Sequence, residues 1–183
     1  TGIGISAGDT ATLYANSVTN TSATGSQTLT FSTSSDPKNV TLHLTLKSPT
    51  SVAGPARVAL SSSLHGATNV TYTVTFIATN ALTSGYSTIT MTGPAGTVFA
   101  PALGCSPYTV RDDTSGASSP CITTVVSNGG ATVTLTVPIA VGRGDVVTLN
   151  AGGVTNTSSI GAQTLSFATS SDPVAVSLPF TTT

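Results

Sequence analysis

The feature that most constrains this chain is a passage that occurs twice. VTNTSATGSQTLTFSTSSDP runs from Val18 to Pro37, and VTNTSSIGAQTLSFATSSDP runs from Val154 to Pro173. The offset is 154 − 18 = 136 residues, and the alignment continues without a gap from residue 1 to the C-terminus. A tandem repeat of this period predicts that residues 1–47 are the closing strands of one repeat unit, equivalent to 137–183. Residues 48–183 are then a complete unit.

Apolar and polar residues alternate through several short runs. Val70 to Phe76 alternates with threonine throughout, and Leu42 to Leu46 and Val133 to Val137 have the same period of two. This period predicts β-strands with one buried and one polar face. Val and Thr dominate these runs, and their β-branched side chains favour strands over helices.

Turn signals separate the alternating runs into about a dozen short strands. Gly93-Pro94 and Asn128-Gly129-Gly130 are examples, and no segment has a convincing period of 3.6 residues. The sequence therefore predicts an all-β fold, an antiparallel β-sandwich of the Ig-like or Greek-key type with little or no helix.

The same alternation predicts the core, with the intervening threonines exposed. The predicted core residues are Leu29, Phe31, Leu42, Leu44, Val74, Phe76, Ile89, Met91, Val133, Leu135, Leu165 and Phe167. Because residues 1–47 lack the middle strands of a unit, their apolar face must be buried elsewhere. Either both copies join one enlarged sandwich, or the exposed edge recruits a neighbouring copy or an adjacent repeat, which is the alternative we favour.

The repeated segments resemble the unit ends of tandem-repeat bacterial cell-surface proteins built from Ig-like β-sandwich modules. The residues that carry the resemblance are the Gly-Asp strands Gly8 to Leu13 and Gly144 to Leu149, followed by GVTNTSSIGAQTLSFATSSDP. The resemblance implies a non-catalytic, extracellular or cell-surface structural role in a stalk, an adhesin or a self-assembling filament. It assigns no functional residues.

Charge and hydropathy exclude several classes of partner. The net charge is −1, with 5 basic and 6 acidic residues, so no basic surface is available for nucleic acid. No apolar run approaches the roughly 18 residues of a membrane-spanning helix. Hydrophobic residues make up 38% of the chain, which is enough to bury a core.

The two cysteines, Cys105 and Cys121, lie in a loop-like run rich in Pro, Ser and Gly. A disulfide between them would close a loop of about 16 residues and stabilise the fold by roughly 3 kcal/mol. We expect this disulfide, which indicates an oxidising compartment, and two unpaired thiols are the alternative.

Several polar residues are candidate sites with a simpler structural alternative. Asp36, Asp112, Asp113 and Asp172 are weak candidate calcium ligands, although aspartates in turns more often bond to their own backbone. No other cofactor is expected. Asn20, Asn39, Asn69 and Asn156 stand in N-x-S/T sequons and are weak candidate glycosylation sites.

The sequence contains few residues that could serve in catalysis. The two histidines, His43 and His65, are not near the one Gly-x-Ser-x-Gly pattern of the chain, Gly4 to Gly8, so no enzyme is expected. The alternative to a structural module is a carbohydrate- or surface-binding adhesive module. Threonine rows such as Thr88, Thr90 and Thr92 also allow ice binding as a remote variant, with hydroxyls about 7 Å apart along a strand.

Overall fold

The computed structural model describes residues 4–13, 15, 18–102, 107–119 and 122–183. It divides the chain into two compact units, Thr1–Ser48 and Pro49–Thr183.

The first unit contains one β-hairpin. Its strands are β1 (Gly25–Phe31) and β2 (Val40–Leu46), which pair antiparallel. None of the other described residues of this unit lies in a strand or helix. The hairpin is amphipathic: one face carries Leu29, Phe31 and Leu42, with Leu29 directly opposite Leu42, and the other face carries threonine, serine and His43.

The second unit is an antiparallel β-sandwich of two five-stranded sheets. Its strands are β3 (Ala53–Leu60), β4 (Val70–Ile77), β5 (Thr88–Thr92), β6 (Tyr108–Asp112), β7 (Ser118–Ser119), β8 (Thr124–Ser127), β9 (Thr132–Thr136), β10 (Val146–Val154), β11 (Gly161–Thr169) and β12 (Val176–Thr182). The strand orders are β3-β4-β10-β6-β7 and β12-β11-β5-β9-β8, so the chain crosses repeatedly between the sheets. Among the described residues, the only helical element is a single 3-10 turn at Asn128–Gly130. The predicted all-β sandwich is confirmed.

The core of the second unit lies between the two sheets. Alternate residues of β4 are buried, from Val70 to Phe76, and the rings of Phe76 and Phe167 meet with centroids 4.8 Å apart. Eight of the predicted core residues are fully buried: Val74, Phe76, Ile89, Met91, Val133, Leu135, Leu165 and Phe167. The period of two therefore predicted these eight core positions correctly.

The other four predicted core residues are a correction. Leu29, Phe31, Leu42 and Leu44 are exposed on the β1–β2 hairpin. Alternation shows which side chains share a face of a strand, but the burial of that face requires a second sheet that covers it.

The intervening threonines are a second correction, because those on the central strands are half-buried rather than exposed. Thr90 and Thr134, directly opposite on β5 and β9, have hydroxyl oxygens 3.3 Å apart. The Thr73 hydroxyl donates to Asn150 Oδ1 at 2.8 Å. Cross-strand neighbours therefore cover much of these side chains.

Candidate functional site

The β1–β2 and β11–β12 hairpins have the same strand pairing but different surroundings. In the first, Gly25 pairs with Leu46 and Phe31 pairs with Val40. In the second, Gly161 pairs with Thr182 and Phe167 pairs with Val176. Adding 136 to every residue number of the first hairpin gives the second, so the two registers are identical.

The turns of the two repeated segments also match. The Asp36 N–H donates to Thr33 Oγ1 at 2.9 Å, and the Asp172 N–H donates to Thr169 Oγ1 at 2.8 Å. Gly25 and Gly161, which open the two hairpins, have φ of 96° and 105°, a conformation that favours glycine. The local geometry is therefore encoded within the repeated segment itself.

The two hairpins differ in burial. Leu165 and Phe167 are 0% exposed, whereas their equivalents Leu29 and Phe31 are 55% and 45% exposed. On the second strand, Leu178 is 1% exposed and its equivalent Leu42 is 49% exposed. The face of β1–β2 that corresponds to the sandwich core is an apolar surface, and it is the most distinctive surface of the first unit.

Asp172 is a structural anchor in the second unit. Its buried carboxylate accepts hydrogen bonds from the Thr50 hydroxyl at 2.8 Å, from Asn80 Nδ2 at 2.7 Å, and from the N–H groups of Thr79 and Asn80 at 3.0 and 3.2 Å. These donors use the oxygens that a cation would need. Its equivalent Asp36 is exposed and contacts Thr33.

Asp112 and Asp113 also have protein partners. Asp112 is buried in a turn and accepts hydrogen bonds from the Ser115 hydroxyl and from the N–H groups of Thr114 and Ser115. Burial raises the pKa of Asp112, but these hydrogen bonds outweigh it and hold the pKa below its usual value. Asp113 pairs with Arg111 at 2.9 Å. Within the described ranges, no three His, Cys, Asp or Glu residues are close enough together to hold a metal ion.

The four sequons are in different environments. Asn20, Asn39 and Asn69 are exposed. Asn156 is buried, its Nδ2 donates to the carbonyls of Ser62 and Leu64 at 3.0 and 2.8 Å, and its Oδ1 accepts from the Tyr72 hydroxyl. A sugar on Asn156 would break these bonds, so this side chain is a core hydrogen-bonding group.

The side chains of Tyr72 and Tyr108 are expected to ionise at a higher pH than an exposed tyrosine. Burial raises the pKa of each hydroxyl to about 12. A tyrosine in the unfolded chain ionises near pH 10, so the unfolded state loses its protons first and stability falls as the pH rises from about 10 to 12. Absorbance titration of tyrosinate measures this directly. Phe in place of Tyr108 should remove part of the high-pH component, and a titration complete below about pH 11 would contradict the expectation.

The remaining candidate residues are not brought together. His65 Nδ1 lies 2.9 Å from the Thr183 carbonyl oxygen, and His43 lies on the polar face of β2. Neither histidine forms an ion pair with an aspartate in the part of the chain that the structure describes. Cys105 and Cys121 lie outside the described residues, so their disulfide remains a prediction.

One sheet of the second unit presents an outer face without charge. Its strands β12, β11, β5, β9 and β8 contain no Asp, Glu, Lys, Arg or His. Directly opposed threonines form its centre: Thr88 with Thr136, Thr90 with Thr134, and Thr92 with Thr132. The hydroxyl oxygens of Thr92 and Thr132 are 3.1 Å apart, so part of their hydrogen-bonding capacity is used within the sheet.

Sequence reasoning missed the partners of the buried polar groups. Thr50 and Asn80 hold Asp172, and Tyr72 holds Asn156, yet these partners are separated by 84 to 122 positions in the chain. No local motif marks such pairs. The one available signal is that Asp172 belongs to the copy of the repeat that is accompanied by a full set of strands.

No protein-family model and no curated protein matches this chain. Solved structures resemble it at low identity. One is the collagen-binding domain from a Staphylococcus aureus adhesin, which is 13% identical, with a TM-score of 0.42 over 69% of this chain and 95% of that chain. Another is described as manganese lipoxygenase of Gaeumannomyces graminis with a partial structure of zonadhesin of Komagataella pastoris. It is 14% identical, with a TM-score of 0.40, and covers 91% of this chain and 58% of that chain. This chain thus spans less than two thirds of that second structure.

Within the described residues, no helix is long and apolar enough to cross a membrane.

Proposed function

We propose that this protein is a non-catalytic, extracellular structural module of a repeat array, as in a cell-surface stalk, an adhesin or a self-assembling filament. The observation that carries the proposal is the closing hairpin that occurs twice in one register, once inside a finished sandwich and once outside it. A structure that repeats in this way is typical of modules joined end to end.

The contacts of the polar side chains support a structural role. Asp172 and Asn156 are buried and hold together segments of chain that are distant in sequence. Asp112 shapes a turn. These side chains stabilise the fold, whereas a catalytic group must remain accessible to a substrate. The extracellular setting is supported by the resemblance of the repeated segments to cell-surface proteins and by the expected Cys105–Cys121 disulfide.

The second candidate is an adhesive module that binds carbohydrate or another uncharged surface. The charge-free threonine face of the second unit favours this candidate, because hydroxyl groups can exchange hydrogen bonds with a neutral polysaccharide without a counter-charge. Ice binding is the remote variant, and the hydroxyl pairing of Thr92 with Thr132 argues against it, since those groups already bond to each other.

Electron microscopy of native material tests the structural proposal. A stalk or filament should appear as a rod or a beaded thread. A module of this size is about 30 to 40 Å across, which sets the expected spacing of the beads. Dispersed single particles would contradict the proposal. The adhesive candidate would replace the structural one if such particles bound a glycan array and Thr90→Lys abolished the binding. The control is Ala59→Lys, at an exposed position of the other sheet, which should leave the binding unchanged.

A further inference from the structure

The described chain contains two closing hairpins but one set of the strands that such a hairpin completes. The β11–β12 hairpin closes the second unit, where β11 pairs with β5 and the apolar side chains are buried. The β1–β2 hairpin has the same register, and its apolar side chains are exposed. The strands that β1–β2 would need are therefore equivalents of those that residues 49–136 supply in the second unit.

The contacts of β11–β12 show what such a partner must provide. The partner needs a strand edge like that of β5, which pairs with β11 from Ser166 to Thr169. It also needs an inner face like that of β4, where Phe76 meets Phe167 and Tyr72 packs edge-on against Phe180 with ring centroids 5.7 Å apart.

The side chains of β1–β2 suit the same partner. Leu29 and Phe31 are identical to Leu165 and Phe167, and Leu44 stands at the position of Phe180. Thr30 to Thr33 stand where β11 pairs with β5, and all four residues are compatible with a strand. Asp36 stands where Asp172 accepts its hydrogen bonds, so a partner with equivalents of Thr50 and Asn80 would also use this carboxylate.

The segment before β1 indicates the same partner independently. In the second unit its equivalent contains β10, a central strand that pairs with β4 on one side and β6 on the other. In the first unit the described residues before Gly25 form no strand, and Leu13 is exposed where Leu149 is buried. The absence of a strand among these described residues is expected if both of the strands that the segment would pair with belong to a partner.

The finished second unit of another molecule cannot be that partner. Its β5 edge already pairs with β11. If β1–β2 replaced β11–β12 there, one apolar hairpin would be covered and an equivalent one exposed, so the exchange would gain little burial. A net gain requires front strands that have no closing hairpin of their own.

We propose that the β1–β2 face docks onto a further tandem copy of the 49–136 sequence, and that residues 1–48 and this copy together form a second complete sandwich. The proposal deepens the proposed function and rests on it. The partner is a polypeptide with the strand pattern of β3 to β9, including the β5 edge and the aromatic inner face of β4.

A chain that carries its own partner tests the proposal. A second copy of residues 49–136 is placed directly before residue 1 of the full chain, so that residue 1 follows Thr136 as Val137 does in the second unit. Hydrogen exchange is then measured by mass spectrometry. We expect exchange in β1–β2 to slow by about 100-fold or more relative to the unextended chain and to approach that of β11–β12.

Two variants of the extended chain are the controls. The double substitution Phe31→Asp and Leu42→Asp, on the apolar face, should abolish the new protection of β1–β2. The double substitution Thr28→Asp and Thr41→Asp, on the polar face, should retain it. In both variants β11–β12 should stay protected, which shows that the second unit is folded.

Two results would overturn the proposal. One is unchanged exchange in β1–β2 of the extended chain while β11–β12 stays protected. The other is a dimer of the unextended chain that is lost with the Phe31 and Leu42 substitutions, since two hairpins would then cover each other. Failure of the proposed function can be distinguished from failure of this proposal. In that case β1–β2 of the extended chain would still be protected from exchange, but native material would show dispersed particles.

Discussion

Replacing Phe167 by alanine is expected to lower the free energy of unfolding of the second unit by about 3 to 5 kcal/mol. The ring of Phe167 is fully buried and contacts Phe76 across the sandwich, so its removal loses the transfer free energy of the ring and leaves a cavity. Urea denaturation monitored by circular dichroism measures the change. A loss below about 1 kcal/mol would mean that the register of β11 is wrong.

The matched control is Phe31→Ala, at the equivalent position of the first hairpin. Because Phe31 is exposed, this substitution should change the same free energy by less than about 0.5 kcal/mol. The two substitutions delete the same atoms from the same local sequence pattern, so their difference measures the contribution of tertiary burial. Equal losses at the two positions would show that both hairpins share one core.

Replacing Asp172 by alanine is expected to destabilise the second unit by about 2 to 4 kcal/mol. The substitution leaves the Thr50 hydroxyl and the backbone N–H groups of Thr79 and Asn80 without their acceptor, and an unpaired buried donor costs about 1 to 3 kcal/mol. Thermal and urea unfolding report the loss.

Asp36→Ala is the control for Asp172, and Asp172→Asn refines the interpretation. Asp36 is exposed, so its loss should cost no more than about 0.5 kcal/mol. Asparagine at position 172 retains one acceptor oxygen and should give an intermediate loss. If Asp172→Ala and Asp36→Ala had the same effect, the hydrogen bonds of Asp172 would contribute nothing to stability.

The repeated segments show how far sequence reasoning reached. Alternation identified β4, β5 and β9 and the residues on their buried faces, because the period of two depends only on the pleat of the strand. The same reasoning placed Leu29 and Phe31 in a core, and this was wrong. Pattern identifies an apolar face, but it carries no information on whether a second sheet covers that face.

The polar candidate sites depended even more on tertiary structure. Asp36 and Asp172 occur in the same Ser-Ser-Asp-Pro turn, yet only Asp172 is buried among donors. Asn156 reads as a sequon and is instead held by the Tyr72 hydroxyl and two backbone carbonyls. The partners of these groups come from strands far away in the chain, so a local motif could not distinguish a ligand or a glycosylation site from a structural group.

The sequence by itself determined the hairpin. Gly25 and Gly161 adopt similar φ angles, and the two hairpins pair in one register, because the turn and the cross-strand pairs lie within the repeated segment. Only the tertiary structure decided which copy is paired with further strands and buried. Residues 146–154 form a central strand because β4 and β6 flank them, and Phe167 is buried because the opposite sheet covers it. Among the described residues, the equivalents before Gly25 form no strand and Phe31 is exposed, since burial and strand pairing depend on chain segments that are distant in sequence.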